Sequence, residues 1–302
     1  MSSDDNNTAA ATSFATALVA GGCAGTSVDV ALFPIDTLKT RMQSPQGFVK
    51  AGGFRGVYNG LGAAAVGSAP GAALFFSSYE TCKPIIRRWQ QSLGGHGDSG
   101  MRNPAISHMV AASIGESAAC LVRVPTEVIK AKMQTNAANA SSLSKTFRLV
   151  LEEKASGPLG GFTGGLYRGY GITLMREIPF AMIQFPIYEF LKKYWTENLR
   201  GGVPVNPLQA AACGSFGGAI AAAATTPLDV VKTRLMLGAD KDGKLYEGAL
   251  DVIRRTAAEN PDRKWVVFFS GIQPRVMWIS IGGFVFFGAY EGFKTGLSPV
   301  LG

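Results

Sequence analysis

One short pattern occurs three times in this 302-residue chain: a proline, an acid two residues on, a lysine three further, and a second base two beyond that. The copies are Pro34, Asp36, Lys39 and Arg41; Pro125, Glu127, Lys130 and Lys132; and Pro227, Asp229, Lys232 and Arg234. They lie 91 and 102 residues apart, so the chain divides into three similar units. Whatever fold forms must satisfy the same local chemistry three times, which makes the repeat the first constraint on architecture.

Other positions keep the same register. Tyr79, Glu80 and Lys83 recur as Tyr188, Glu189 and Lys192 and as Tyr290, Glu291 and Lys294. Upstream of these, Val57, Tyr58 and Gly60 recur as Leu166, Tyr167 and Gly169 and as Phe268, Phe269 and Gly271. Each unit therefore reads as two long helices with a polar segment between them: 13–42 with 60–88, 104–134 with 165–196, and 206–236 with 271–297. Segments 142–153 and 247–259 carry helical apolar spacing with charges opposite, as expected of short amphipathic helices lying at an interface. The expected organisation is a polar tail over 1–12 and repeats over 13–92, 103–199 and 206–298, joined by Gly-rich stretches at 92–102 and 200–204.

The solvent of these helices follows from charge placement. No charged residue stands between Thr8 and Val28, between Pro207 and Thr226, or between Val276 and Tyr290. The first two runs match the ~20 residues that cross a hydrocarbon core, and soluble surface helices rarely omit charge for so long. A mean hydropathy of only +0.15 then calls for membrane helices with one wet face. The predicted class is an all-α membrane protein of six transmembrane helices in three pseudo-symmetric repeats around a central cavity.

The net charge of +8 would also suit nucleic acid, but its distribution does not. Bases such as Arg87, Arg88, Lys192, Lys193, Arg254 and Arg255 cluster at the ends of apolar runs, which fits anionic lipid head groups, cardiolipin among them. No basic stripe with interleaved aromatics exists, so nucleic acid is not an expected partner. Cys23, Cys82, Cys120 and Cys213 lack CxxC spacing and read as small hydrophobes, so no metal site is expected. The polar N-terminus has neither an Arg-rich transit pattern nor a secretory one. An enzyme is not indicated: there is no phosphate loop ending in Lys-Ser/Thr and no HExxH, and His96 and His108 stand near a connecting loop.

An unpaired charge inside a membrane costs roughly 2.5 to 3.5 kcal/mol, so charges repeated in register should pair. Three units about one axis bring the acid of each odd helix to the lysine of the next: Asp36 with Lys130, Glu127 with Lys232, Asp229 with Lys39. The second set closes similarly, Glu80 with Lys192, Glu189 with Lys294 and Glu291 with Lys83. Two such rings at opposite ends of a cavity make two gates, and Pro34, Pro125 and Pro227 kink their helices toward the axis beside the first ring. The plainer alternative, charges that only anchor helix ends, leaves the fixed offsets unexplained.

The asymmetric positions mark a ligand. Seven residues before a motif acid is the same helix face. That place holds Asp29 in unit one but Cys120 and Ala222 in the others. Glu116, eleven before Glu127, and Arg123, four before it, share that stripe, where the other units carry Gly25 and Gly218. Those glycines, each in a Gly-x-x-x-Gly pair with Gly21 or Gly214, read as helix contacts. Asp29 and Glu116 make this stripe acidic, better suited to a cation than to a polyphosphate.

With its three proline-acid-lysine motifs and three Tyr-Glu-x-x-Lys endings, the chain resembles the mitochondrial carrier family over nearly its whole length. The resemblance implies a multi-pass protein of the mitochondrial inner membrane, with short matrix helices, no cofactor, and one central site reached alternately from either side. It makes Gln43 and Gln134 braces of the matrix ring, with Met236 in the third such place. It puts substrate contacts midway along the even helices, at Gly67, Arg176 and Trp278, seven residues after Gly60, Gly169 and Gly271. Arg176 beside Glu177 is there the kind of pair that takes amino-acid-like substrates, by carboxylate and ammonium respectively. Gly67 would leave room for adenosine, Trp278 would stack on adenine or face a cation, and Arg275 reads as gate-side structure. The stretches Ser44 to Phe48, Lys50 to Phe54, Arg123 to Val128, Arg176 to Phe180 and Gln184 to Pro186 are similar to the branch that carries S-adenosylmethionine in exchange for S-adenosylhomocysteine. A carrier of another cation, such as a basic amino acid, and a non-transporting membrane scaffold stay open as alternatives.

Overall fold

The computed structural model describes residues 27–93, 104–135, 142–152, 165–199, 201–203, 205–259, 264–282 and 284–285. Helix α1 covers 27–43, α2 Leu61–Leu93, α3 Pro104–Gln134 and α4 Leu143–Glu152. A 3-10 turn at Gly165–Tyr167 leads into α5, Tyr170–Tyr194, which ends in a π turn at Trp195–Leu199. Then come α6, Pro207–Leu237, α7, Ala249–Ala258, α8, Lys264–Phe268, and α9 over 272–282. The expected helical parts of 13–26 and 286–297 lie outside the described residues. The five-residue α8 and the isolated bridge between Ala239 and Leu245 have no counterpart in the sequence reading.

Among the described residues one helix, Leu208–Leu237, is by itself long and apolar enough to cross a bilayer.

Contacts group the chain into two compact units. The first comprises Met1–Tyr58, Arg176–Val230 and Arg255–Gly302. In its described part, Gly282 of α9 sits over Leu32 and Val28 of α1, and Gly218 of α6 lies against Ile279 of α9. Phe33 stacks on Tyr58, and Thr37 donates to the Val57 carbonyl at 2.6 Å. The end of α1 is tied down by Arg41, whose fully buried guanidinium donates to the carbonyls of Gly53 at 2.8 Å, Arg55 at 2.6 Å and Gly56 at 3.1 Å. The loop after α1 thus wraps backbone oxygens around one cation, whose N–H donors need acceptors to be buried at all.

The second unit comprises Asn59–Met175 and Val231–Arg254. Its core is a row of Cys120, Val124 and Val128 on α3, one residue every helical turn, packed with Val150 of α4 and Met236 of α6. Leu166, Tyr170 and Leu174 cover it. The Tyr170 hydroxyl, which needs a partner when buried, donates to the Ser117 carbonyl at 2.9 Å.

Candidate functional site

In the first unit the site is built around Asp229 on α6. The turns before it are unusual: Pro227 supplies no N–H, while Thr225 and Thr226 hydroxyls donate to Ala221 and Ala222 carbonyls, each at 2.7 Å. Asp229 follows with its side chain 3% exposed, and four residues converge on it. Lys39 Nζ meets Oδ2 at 2.8 Å and Gln43 Nε2 donates to the same oxygen at 3.0 Å, both from the last turns of α1. Arg275 of α9 donates to Oδ1, and Arg176 of α5 has its Nε 3.9 Å from that oxygen. Arg176 is also paired with its neighbour Glu177.

In the second unit Lys232 meets Glu127 at 2.7 Å. Glu127 keeps 29% of its side chain exposed, so it is far wetter than Asp229. Lys132 donates to the Leu237 carbonyl at 3.1 Å, closing the end of α6 as a cation should at a helix C-terminus. Gln134 is buried. Glu116 and Arg123, two turns apart on α3, pair with each other. Asp36 and Lys130, the third expected matrix pair, are half-buried on α1 and α3, and Pro34, Pro125 and Pro227 each stand inside a helix.

Two sequence expectations need restating. Gly67 is buried, and a Cβ there would come within 2.5 Å of Thr126, so its missing side chain is filled by α3 and leaves no slot for adenosine. Counting residues gave its depth along α2 but not which neighbour it faces. Lys192 donates at 2.9 Å to Glu189, three residues earlier on its own helix, where pairing with a neighbouring repeat had been expected. The side chains of Glu80 and Lys83, and Glu291 and Lys294 altogether, lie outside the described residues. Asp29 and Trp278 are half-buried on α1 and α9.

Arg275, expected as gate-side structure, donates to Asp229, one of the motif acids. Its counterparts four residues after Gly60 and Gly169 are Ala64 and Thr173, so it breaks the threefold pattern as plainly as Asp29 does. Gly271 is the other positioning device. It adopts φ 76°, and a Cβ there would lie 3.1 Å from the Lys39 carbonyl and 3.2 Å from Gln43 Cγ. Gly271→Ala should lose ~1–2 kcal/mol to left-handed strain and more to the clash. Gly47→Ala, at φ 80° with nothing within 4 Å, carries the strain alone. Thermal unfolding in detergent should therefore show the larger drop for Gly271→Ala, and equal drops would remove the close approach as its cause.

Segments 10–89, 102–199 and 203–300 each match the family described as mitochondrial carrier protein. The mitochondrial S-adenosylmethionine carrier protein of Mus musculus is 46% identical over 287 residues, covering 95% of this chain and 96% of that one. Its Danio rerio counterpart is 47% identical over 288 residues, covering 94% and 98%. A protein of Eremothecium gossypii named as a mitochondrial carrier, PET8, is 48% identical over 287 residues, covering 93% and 98%. Matches across all three repeats and nearly the full length place this chain among transporters and not enzymes: it belongs to the mitochondrial carrier family.

Proposed function

We propose that this chain carries S-adenosylmethionine across the mitochondrial inner membrane in exchange for S-adenosylhomocysteine, through six membrane-spanning helices in three two-helix repeats. The names of the mouse and zebrafish relatives support the substrate. The observation within the chain that carries the reading is the Arg176–Glu177 pair, an internal zwitterion with side chains 15% and 25% exposed. A substrate bearing an α-carboxylate and an α-ammonium can exchange partners with it, carboxylate to Arg176 and ammonium to Glu177, without adding net charge to a poorly hydrated site. The sulfonium then leaves one positive charge to be met, and Asp29 supplies one negative charge. Trp278 offers an aromatic face to adenine or to the sulfonium. The Glu116–Arg123 pair is a second internal zwitterion that substrate can open.

The membrane reading is supported by α5, where Met175, Ile178, Met182 and Phe185 form an exposed apolar stripe at helical spacing while Arg176 and Glu177 lie on another face. In water that stripe would be a liability; in lipid it is the ordinary outer face. The pairs Lys39–Asp229 and Lys232–Glu127, with the Gln43 brace, are the partners of a shut matrix gate, which Asp36 with Lys130 would complete. Gln134 is the second brace. Lys192 held on its own helix fits an unmade cytoplasmic ring, whose other members are Glu80, Lys83, Glu291 and Lys294. Basic helix ends would meet anionic lipid, cardiolipin included.

The test is uptake of radiolabelled S-adenosylmethionine into liposomes holding the purified protein, loaded with S-adenosylmethionine, S-adenosylhomocysteine, ADP, arginine or nothing. Uptake should be stimulated by the first two loads and not by ADP or arginine. Stimulation by arginine alone would move the substrate to basic amino acids, and no uptake by folded protein would leave a scaffold role.

A further inference from the structure

Asp229 is supplied with more cations than it can neutralise. Lys39, Arg275 and Arg176 all approach it, with Gln43 as a fourth donor. The order in which they are satisfied is set by Arg275. Its Nε donates to the Ala222 carbonyl at 3.2 Å and its Nη2 to Thr225 Oγ1 at 2.9 Å, so α6 fixes the plane of the guanidinium. Nη1 is thereby aimed at Asp229 Oδ1, in a place where both side chains are 3% exposed. Oδ2 is already occupied by Lys39 and Gln43. Arg176 Nε is left 3.9 Å from Oδ1, beyond hydrogen-bonding distance.

We infer that Arg275 is a positioning residue for substrate recognition: by saturating Asp229 it keeps that carboxylate from capturing Arg176, and so reserves Arg176 for the carboxylate of an amino-acid-like substrate. The inference rests on the proposed reading of Arg176 as the carboxylate partner. Without Arg275, Oδ1 of Asp229 would lose its donor while Lys39 and Gln43 stay on Oδ2, and Arg176, 3.9 Å from Oδ1, is the cation that can swing in. A planar guanidinium at Asp229 would then be bought with the loss of the substrate's anchor. Arg275 touches no substrate in this scheme; it decides which acid Arg176 binds.

Two substrates differing only in the carboxylate separate this role from a merely structural one. Full-length protein in liposomes is assayed with S-adenosylmethionine and with decarboxylated S-adenosylmethionine. The wild type should favour the carboxylate-bearing substrate. Arg275→Gln should raise KM for S-adenosylmethionine ~10-fold while leaving that for the decarboxylated analogue little changed, so that discrimination disappears. Arg275→Lys, which keeps a cation for Asp229, should restore most of it and covers the case of a glutamine variant that does not fold. Equal changes for both substrates, or undiminished discrimination in a folded Arg275→Gln protein, overturn the inference while leaving S-adenosylmethionine transport intact. Should the wild type instead carry basic amino acids, arginine and agmatine give the same ratio. A folded wild type that carries none of these overturns transport and the inference together.

Discussion

Asp229→Asn is expected to abolish exchange and to cut thermal stability more than any other single change in the acid network. The carboxylate is nearly inaccessible to water and holds Lys39, Gln43 and Arg275. An amide in its place presents one acceptor oxygen and no charge, so the buried Arg275 and the half-buried Lys39 lose their counter-ion. Breaking one side of a buried pair costs ~3–5 kcal/mol, because the charge left behind cannot rehydrate. The matched variant Glu127→Gln faces a wetter environment, with Glu127 29% exposed, and should cost much less in stability. Melting temperature and liposome exchange measured on both variants check the ranking. Equal losses would mean that the matrix acids act as a uniform ring and that the crowding at Asp229 has no energetic weight.

The second large effect concerns Asp29, and here stability should stay put while substrate selection changes. Asp29 is half-buried on α1, seven residues before Asp36. A charge-assisted contact to a substrate cation is worth ~1.5–3 kcal/mol, or about one to two decades in affinity. S-Adenosylmethionine carries a sulfonium and S-adenosylhomocysteine a neutral thioether. Asp29→Asn should therefore weaken the former by ~10-fold or more and the latter little, with an unchanged melting temperature. A parallel loss for both, or a fall in stability, would make Asp29 part of the helix packing and not of the site.

The repeat made much of this readable. The partners of Lys39 and Lys232 are acids of the repeated motif, and Gln43 meets Asp229 at the place that the family resemblance implies for a brace. Helices α3 and α6 end within a residue or so of their expected bounds because proline, glycine and charge punctuate them. Contacts that break the repeat were harder. Arg275 could be seen as an exception in sequence, but its choice of Asp229 depends on how α9 meets α6. Gly67 shows the opposite failure: a small residue reads equally as open space or as close packing, and only the position of Thr126 decides. Contacts to backbone carbonyls, such as those of Arg41, leave no trace in the side-chain sequence at all.

Those contacts of Arg41 have a practical use. Because one side chain from the last turn of α1 binds three carbonyls of the following loop, loop and helix end are stapled into a single rigid piece. Val49, in that loop, is 82% exposed. A spectroscopic label at Val49 would thus travel with Lys39 and Gln43 while remaining clear of the residues proposed to bind substrate, giving a direct test of whether that end of α1 moves during turnover.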